Sequence, residues 1–116
     1  MELEAGPGLA PALVAGKPVP VKRPDTLADG MTPPFVGALP LEIAREAIDE
    51  IVNVSEEEIL EAMRMLLTRA KLYVEGSGAA ATAALLAGRV TVAPNARVVA
   101  LVSGGNVDLE KIAALV

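Results

Sequence analysis

The sequence predicts an α/β fold: part of a mostly parallel, twisted sheet flanked by helices. Three observations predict it. Short runs of β-branched and apolar residues alternate with segments whose apolar residues recur at helical spacing. Val74-Glu75-Gly76-Ser77-Gly78-Ala79 and Val102-Ser103-Gly104-Gly105-Asn106-Val107 both have the form strand, small-residue turn, helix. Arg97 to Val102 is almost wholly apolar, as a strand covered on both faces must be.

Taken in order, Met1 to Ala5 suits a short strand, and Pro7 to Ala15 a short helix stopped by Gly16, glycine being the usual residue just past a helix end. Between Lys17 and Pro40 six prolines interrupt the chain, and missing N–H donors with a fixed φ leave little room for regular structure. Within this stretch lies the cluster Thr26-Leu27-Ala28-Asp29-Gly30, ending in a turn glycine. Leu41 to Ala47 or Ile48 reads as a helix with Leu41, Ala44, Ala47 and Ile48 on one face, and Glu50 to Val54 as a strand. Ser55 with Glu58 three residues on is a capping-box signature. The helix it opens extends to about Ala70 with Ile59, Met63, Leu66, Leu67 and Ala70 inward. Leu72 to Val74 reads as a strand, Glu75 to Gly78 as a turn, and Ala79 to Ala87 as a helix of small residues suited to close packing. Arg97 to Val102 follows as a strand, and a last helix runs from Asp108 through Leu115.

Composition narrows the function. The 116 residues suit one domain, and 53% of them are hydrophobic, ample for a core. With one Phe, one Tyr and no Trp, that core is built of Ala, Val, Leu and Ile. A small domain buries a low fraction of its surface, so a chain this apolar is expected to cover part of itself with a partner. The net charge of −5 and scattered cations disfavour nucleic acid. No apolar run approaches the roughly 20 residues that would span a bilayer, and no leader pattern opens the chain; a cytoplasmic location is the expectation. With neither Cys nor His, the commonest nucleophile–base pairs and metal ligands are missing.

What remains is a short set of candidates. Glycines in turns at the carboxyl ends of strands let a backbone approach a ligand, though such turns more often only connect elements. Glu75, at a strand end, could tune a bound cofactor or cap the next helix. Asp29 suits a local side-chain-to-backbone bond, and Asp108 an N-cap. Ser55, Ser77 and Ser103 have no histidine to activate them, and none of Lys17, Lys22, Lys71 and Lys111 lies in a recognisable Schiff-base context. Chemistry alone therefore describes a small-molecule-binding half-domain without its own catalytic group.

Three segments together say more. Thr26-Leu27-Ala28-Asp29-Gly30, Glu75-Gly76-Ser77-Gly78-Ala79 and Ser103-Gly104-Gly105-Asn106-Val107-Asp108, with Val54-Ser55-Glu56-Glu57-Glu58-Ile59 between the first two, resemble the C-terminal part of the threonine/serine dehydratase and serine racemase family, fold-type-II pyridoxal-phosphate enzymes related in fold to the tryptophan synthase β chain. The resemblance covers essentially residues 1–116, taken as the C-terminal part of the catalytic domain with no regulatory domain. It implies a pyridoxal 5'-phosphate cofactor and deamination of L-threonine or L-serine to a 2-oxo acid and ammonia, within amino-acid metabolism such as isoleucine biosynthesis.

The resemblance also implies roles. Ser103 would hydrogen-bond the cofactor's pyridine nitrogen, with Gly104 beside it. Gly30 would lie against the ring, Glu75 near the Ser103 end of the cofactor, and Asn106 would orient the Ser103 turn. In racemase-like relatives the counterparts of Asn106 and Lys71 also touch a nucleotide effector. Glu2 matches the start of the family's cation site, whose downstream acidic position is Gly8 here. The family's Schiff-base lysine and its phosphate and substrate loops match nothing in this sequence. The chain alone is therefore expected to be inactive, completed by an N-terminal half or as a homo-oligomer. A non-catalytic pairing module is the rival expectation, and a racemase of the same fold another.

Overall fold

The computed structural model describes residues 1–113. Their organising contact is a parallel pair of two-residue strands, β1 (Glu2–Leu3) and β2 (Asn53–Val54), in register Glu2 to Asn53 and Leu3 to Val54. Glu2 N–H donates to Val52 O (2.9 Å) and Glu4 N–H to Val54 O (3.0 Å). Leu3 and Val54 point into the core and Asn53 to solvent, the two-residue alternation of a strand. Helix α1 (Leu9–Ala15) follows β1 and is closed by Gly16 in the left-handed conformation. Parallel neighbours need a long crossover; here it runs through α1, the proline-rich stretch with a 3₁₀ turn at Asp29–Met31, and helix α2 (Ala38–Ala47). Helix α2 begins earlier than the sequence suggested because Pro40 falls in its first turn, where no N–H is needed.

Helix α3 (Glu56–Met65) starts where the capping box puts it. Ser55 Oγ accepts from Glu58 N–H (3.2 Å), and Glu58 Oε2 accepts from Ser55 N–H (2.9 Å). Ile59, Ala62 and Met63 face inward. A π-helical turn, Leu66–Ala70, prolongs α3, and Lys71 ends it at φ 60°. Helix α4 (Gly76–Leu86) lies along α3. It is apolar all round and buried on most sides through Gly76, Gly78, Ala79, Ala80, Thr82, Ala83 and Ala84, the expectation for a helix inside a layered core. Its small side chains let α3 come close, so Ile59, Val54 and Leu3 can fill the space between sheet and helices.

Four expectations are corrected. Only Asn53 and Val54 of the 50–54 run pair as a strand. Leu72 to Val74 is irregular, and Gly76 to Gly78 form the first turn of α4 rather than a loop before it. Arg97 to Val102 pairs with nothing among the described residues, leaving Val99 90% and Leu101 74% exposed. The common reason is that a strand exists only through hydrogen bonds to a neighbour, and apolar sequence supplies no neighbour. The last helix, α5 (Leu109–Ala113), opens with Ile112 N–H donating to Asp108 O (3.2 Å); its expected end at Leu115 lies outside the described residues.

Candidate functional site: a cleft where three turns meet

The 26–30 loop, the start of α4 and the 103–108 turn, far apart in sequence, meet at one cleft of about 190 Å³. Thr26, Leu27 and Asp29 wall one side, Glu75 the second, and Asn106, Val107, Asp108 and Lys111 the third. Glycine makes the convergence possible. A Cβ on Gly76 would lie 2.5 Å from the Leu27 carbonyl oxygen, and one on Gly78 would lie 2.7 Å from the Gly104 carbonyl oxygen, both inside van der Waals contact with backbone. Two hydrogen bonds tie the second and third segments: Glu75 N–H donates to Gly104 O (3.2 Å), and the Tyr73 phenol donates to Val107 O.

Of the residues singled out in the sequence, Asp29, Glu75, Asn106 and Asp108 line this cleft, and Ser103, Gly104 and Gly30 do not. Glu75 occupies the N-cap position of α4, yet its side chain makes no capping bond. Its carboxylate lies against Gly104 instead, so of the two readings open for it, the helix cap is not the one realised. Gly104 is half-buried, packed on that carboxylate. Ser103 is exposed beside it, its hydroxyl without a hydrogen bond among the described residues. Gly30 follows the first wall in sequence without lining the cleft, and a Cβ there would stand 2.8 Å from Ser77 Oγ.

Two carboxylates behave differently from expectation. The local bonds at Asp29 use its carbonyl, which accepts from Thr32 Oγ1 (3.0 Å) and Arg23 (3.4 Å), while its carboxylate is free to face the cleft. Glu2 lies away from the cleft. Its Oε1 accepts the N–H groups of Gly8 (2.7 Å) and Leu9 (2.6 Å), and its Oε2 that of Ala10 (3.1 Å). A carboxylate on the free amides of a helix start satisfies donors and complements the dipole, so Glu2 serves as the cap of α1. Among the described residues no group of three or more His, Cys, Asp or Glu side chains is gathered to hold a metal ion.

Sequence reasoning missed Thr26, Lys111 and Glu56. Lys111, on α5, lines the cleft together with Asp29, Glu75 and Asp108. Glu56 binds the back of the 26–30 loop. No local pattern announces either, because both contacts span long sequence separations. Remote from the cleft, Arg89 bridges Glu58 (2.7 Å) and Glu4 (3.4 Å). The hydrogen bond from Arg89, then that from Ser55 N–H, holds the Glu58 carboxyl below its ordinary range.

Comparison with known proteins fits this geometry. The sequence matches the family described as pyridoxal-phosphate dependent enzyme over residues 1–104. The chain belongs to that family. It is 40% identical over 109 residues to the catabolic L-threonine dehydratase TdcB of Escherichia coli strain K12, covering 93% of this chain and 33% of that protein. Among solved structures it resembles a threonine deaminase from T.th., at 39% identity and TM-score 0.77, covering 93% of this chain and 38% of that one. It also resembles maize serine racemase, at 32% identity and TM-score 0.82, covering 97% and 35%. The chain spans about a third of the length of the curated relatives it matches. These likenesses bear out the fold class and the family read from the three turns. No described helix is long and apolar enough to cross a membrane.

Proposed function

We propose that this chain forms the C-terminal, cofactor-facing part of a pyridoxal-phosphate-dependent ammonia-lyase that converts L-threonine or L-serine to a 2-oxo acid and ammonia. The observation that carries the reading is the meeting of the three turns at one cleft, with Glu75 against Gly104 and the Ser103 hydroxyl unengaged beside them. The Ser103 hydroxyl, exposed on the turn that forms the third wall, would supply a neutral hydrogen-bonding partner for the cofactor's ring nitrogen. When bound, the cofactor supplies an electron sink for the substrate's α-carbon.

The chain's own residues set how strong that sink is. The Ser103 hydroxyl would hydrogen-bond the ring nitrogen without forcing it to stay protonated, as a carboxylate would, and so would keep the sink moderate. A moderate sink would suit loss of water from a β-hydroxy amino acid. Glu75 borders this edge through Gly104 and holds that wall. Asn106, exposed on the same turn as Ser103, lines the cleft from that side. Gly30 ends the loop that forms the opposite wall, where a Cβ would press on the Ser77 side chain. The lysine that carries the cofactor has no counterpart here, so a complementary N-terminal region, in another chain or upstream, completes the enzyme in the cytoplasm. The named catabolic relative favours amino-acid breakdown over isoleucine synthesis as the setting.

The test is an assay of 2-oxobutyrate from L-threonine with added pyridoxal phosphate. The chain alone should give none, and the chain combined with the N-terminal region of a family member should give turnover that Ser103→Ala reduces. Turnover by the chain alone would sink the split between the two parts, and a combined protein indifferent to Ser103→Ala would sink the assigned role. Likeness to a serine racemase supports a second reading, separated in the same assay by D-serine formed from L-serine.

A further inference from the structure

We infer that Glu56 is a positioning residue: its carboxylate holds the Thr26–Gly30 loop as a wall of the cleft. Glu56 is the first residue of α3, and the reciprocal bonds between Ser55 and Glu58 already cap that helix. The Glu56 side chain is therefore not needed there and reaches back to the loop. Its Oε2 accepts from Thr26 Oγ1 (2.5 Å) and its Oε1 from Leu27 N–H (2.8 Å). Thr26 Oγ1 in turn accepts Ala28 N–H (3.0 Å). One carboxylate thus fixes three consecutive residues.

The fixing passes on to the cleft. Ala28 is fully buried, and its carbonyl accepts Met31 N–H (2.9 Å), closing the turn that carries Asp29 and Gly30. Leu27 presents its carbonyl to Gly76 at the start of α4. The loop lies in a proline-rich stretch with neither sheet ladder nor α-helix to hold it. Hydrogen bonds to an ionised acceptor are about twice as strong as neutral ones, so this pair is the firmest tie the loop has. The functional meaning of the wall rests on the reading above; the tie itself does not.

A competing role is simpler: a negative charge at the start of α3, stabilising its dipole. Three variants separate the two. Glu56→Asp keeps the charge at the helix start but is one methylene too short for the loop. Glu56→Gln loses the charge but keeps the length and a carbonyl acceptor for Leu27. Glu56→Ala loses both. Amide hydrogen exchange on the full chain, without cofactor, reads the result. With Glu56→Ala and Glu56→Asp, the Leu27 and Ala28 amides should exchange about tenfold faster, the loss of one charge-assisted bond. Glu56→Gln, whose neutral bond is about half as strong, should fall between, about threefold faster, and Ala79 to Ala84 in α4 should keep their protection in all three.

The opposite order, with Glu56→Asp like the unmodified chain and Glu56→Gln impaired along α3, would assign Glu56 to the dipole and overturn the inference, as would unchanged Leu27 exchange in Glu56→Ala. If Glu56→Ala fails to fold, the Asp and Gln pair still decides. Because no cofactor enters the measurement, failure of the enzymatic reading and failure of this one are separate results.

Discussion

The β1–β2–α3–α4 layer and the 97–102 segment are both rich in aliphatic residues, and the structure treats them oppositely. In the first, Leu3, Val54, Ile59 and the alanines of α4 are sealed from water. In the second, Val98, Val99, Leu101 and Val102 stand exposed. The sealed layer combines three faces that fit: a strand pair, an amphipathic helix, and a helix of small residues. The exposed segment has the apolar residues of a covered strand and no covering surface among the described residues. Hydrophobicity supplies a driving force proportional to area removed from water, and it stabilises only where another surface removes that area. An exposed apolar run of this kind marks a surface suited to a partner, in keeping with a chain a third as long as its relatives.

The sharpest way to break this comparison is a pair of truncations. Ile59→Ala should lower the unfolding free energy by about 2–5 kcal/mol, the cost of a cavity in a packed core, whereas Val99→Ala should stay within about 0.5 kcal/mol. Denaturant midpoints measure both, and similar losses at the two sites would erase the distinction. Next in size, Gly76→Ala sets a methyl against the Leu27 carbonyl and should cost about 1–3 kcal/mol by overpacking. It should also loosen the 26–30 loop, seen as faster exchange at Leu27, while the 97–102 segment is unaffected.

Smaller again, Ser55→Ala removes half of the capping box and should cost about 1 kcal/mol, read as a lower melting temperature. The Glu58 carboxyl is held below the ordinary carboxylate range by Arg89 and by Ser55 N–H. In the unfolded chain Glu58 binds its proton at higher pH, so its stabilising contribution is complete above that ordinary range and is lost as pH falls through the lowered value. The stability gap between the unmodified chain and Glu58→Gln should accordingly close in acid; a gap that persists there would mean the Arg89 contact does not act through charge. Smallest, Lys71→Gly relieves a left-handed residue at the end of the sealed layer but gives up the Lys71 Nζ bond to Thr68 O (2.7 Å), for a net gain below about 1 kcal/mol, while a polar Val99→Thr should leave unfolding unchanged.

Several elements were legible because their signals are local. Ser55 and Glu58 set the start of α3 to the residue, Gly16 ended α1, and the small residues of 79–87 announced a buried helix. The strands at 72–74 and 97–102 were misread because pairing is not a local property. At the site, Glu75 and Asn106 were found through their motifs. Thr26, Lys111 and Glu56 were not, since each acts across a distance in sequence that no motif spans. Glu2 was carried over as a cation ligand from the resemblance alone; its three bonds to the start of α1 depend on where β1 sets it down.

The sequence by itself determined the alternation of elements, the helix ends and the three small-residue turns that name the family, because each rests on backbone preferences and side-chain bonds within a few residues. The tertiary structure decided which turns share a cleft, that Glu75 faces Gly104 rather than capping α4, that Glu2 caps α1, and that Glu56 holds the 26–30 loop. Those outcomes depend on atoms far apart in the chain being brought within hydrogen-bond reach, and only the packing of α3 and α4 on the strand pair brings them there.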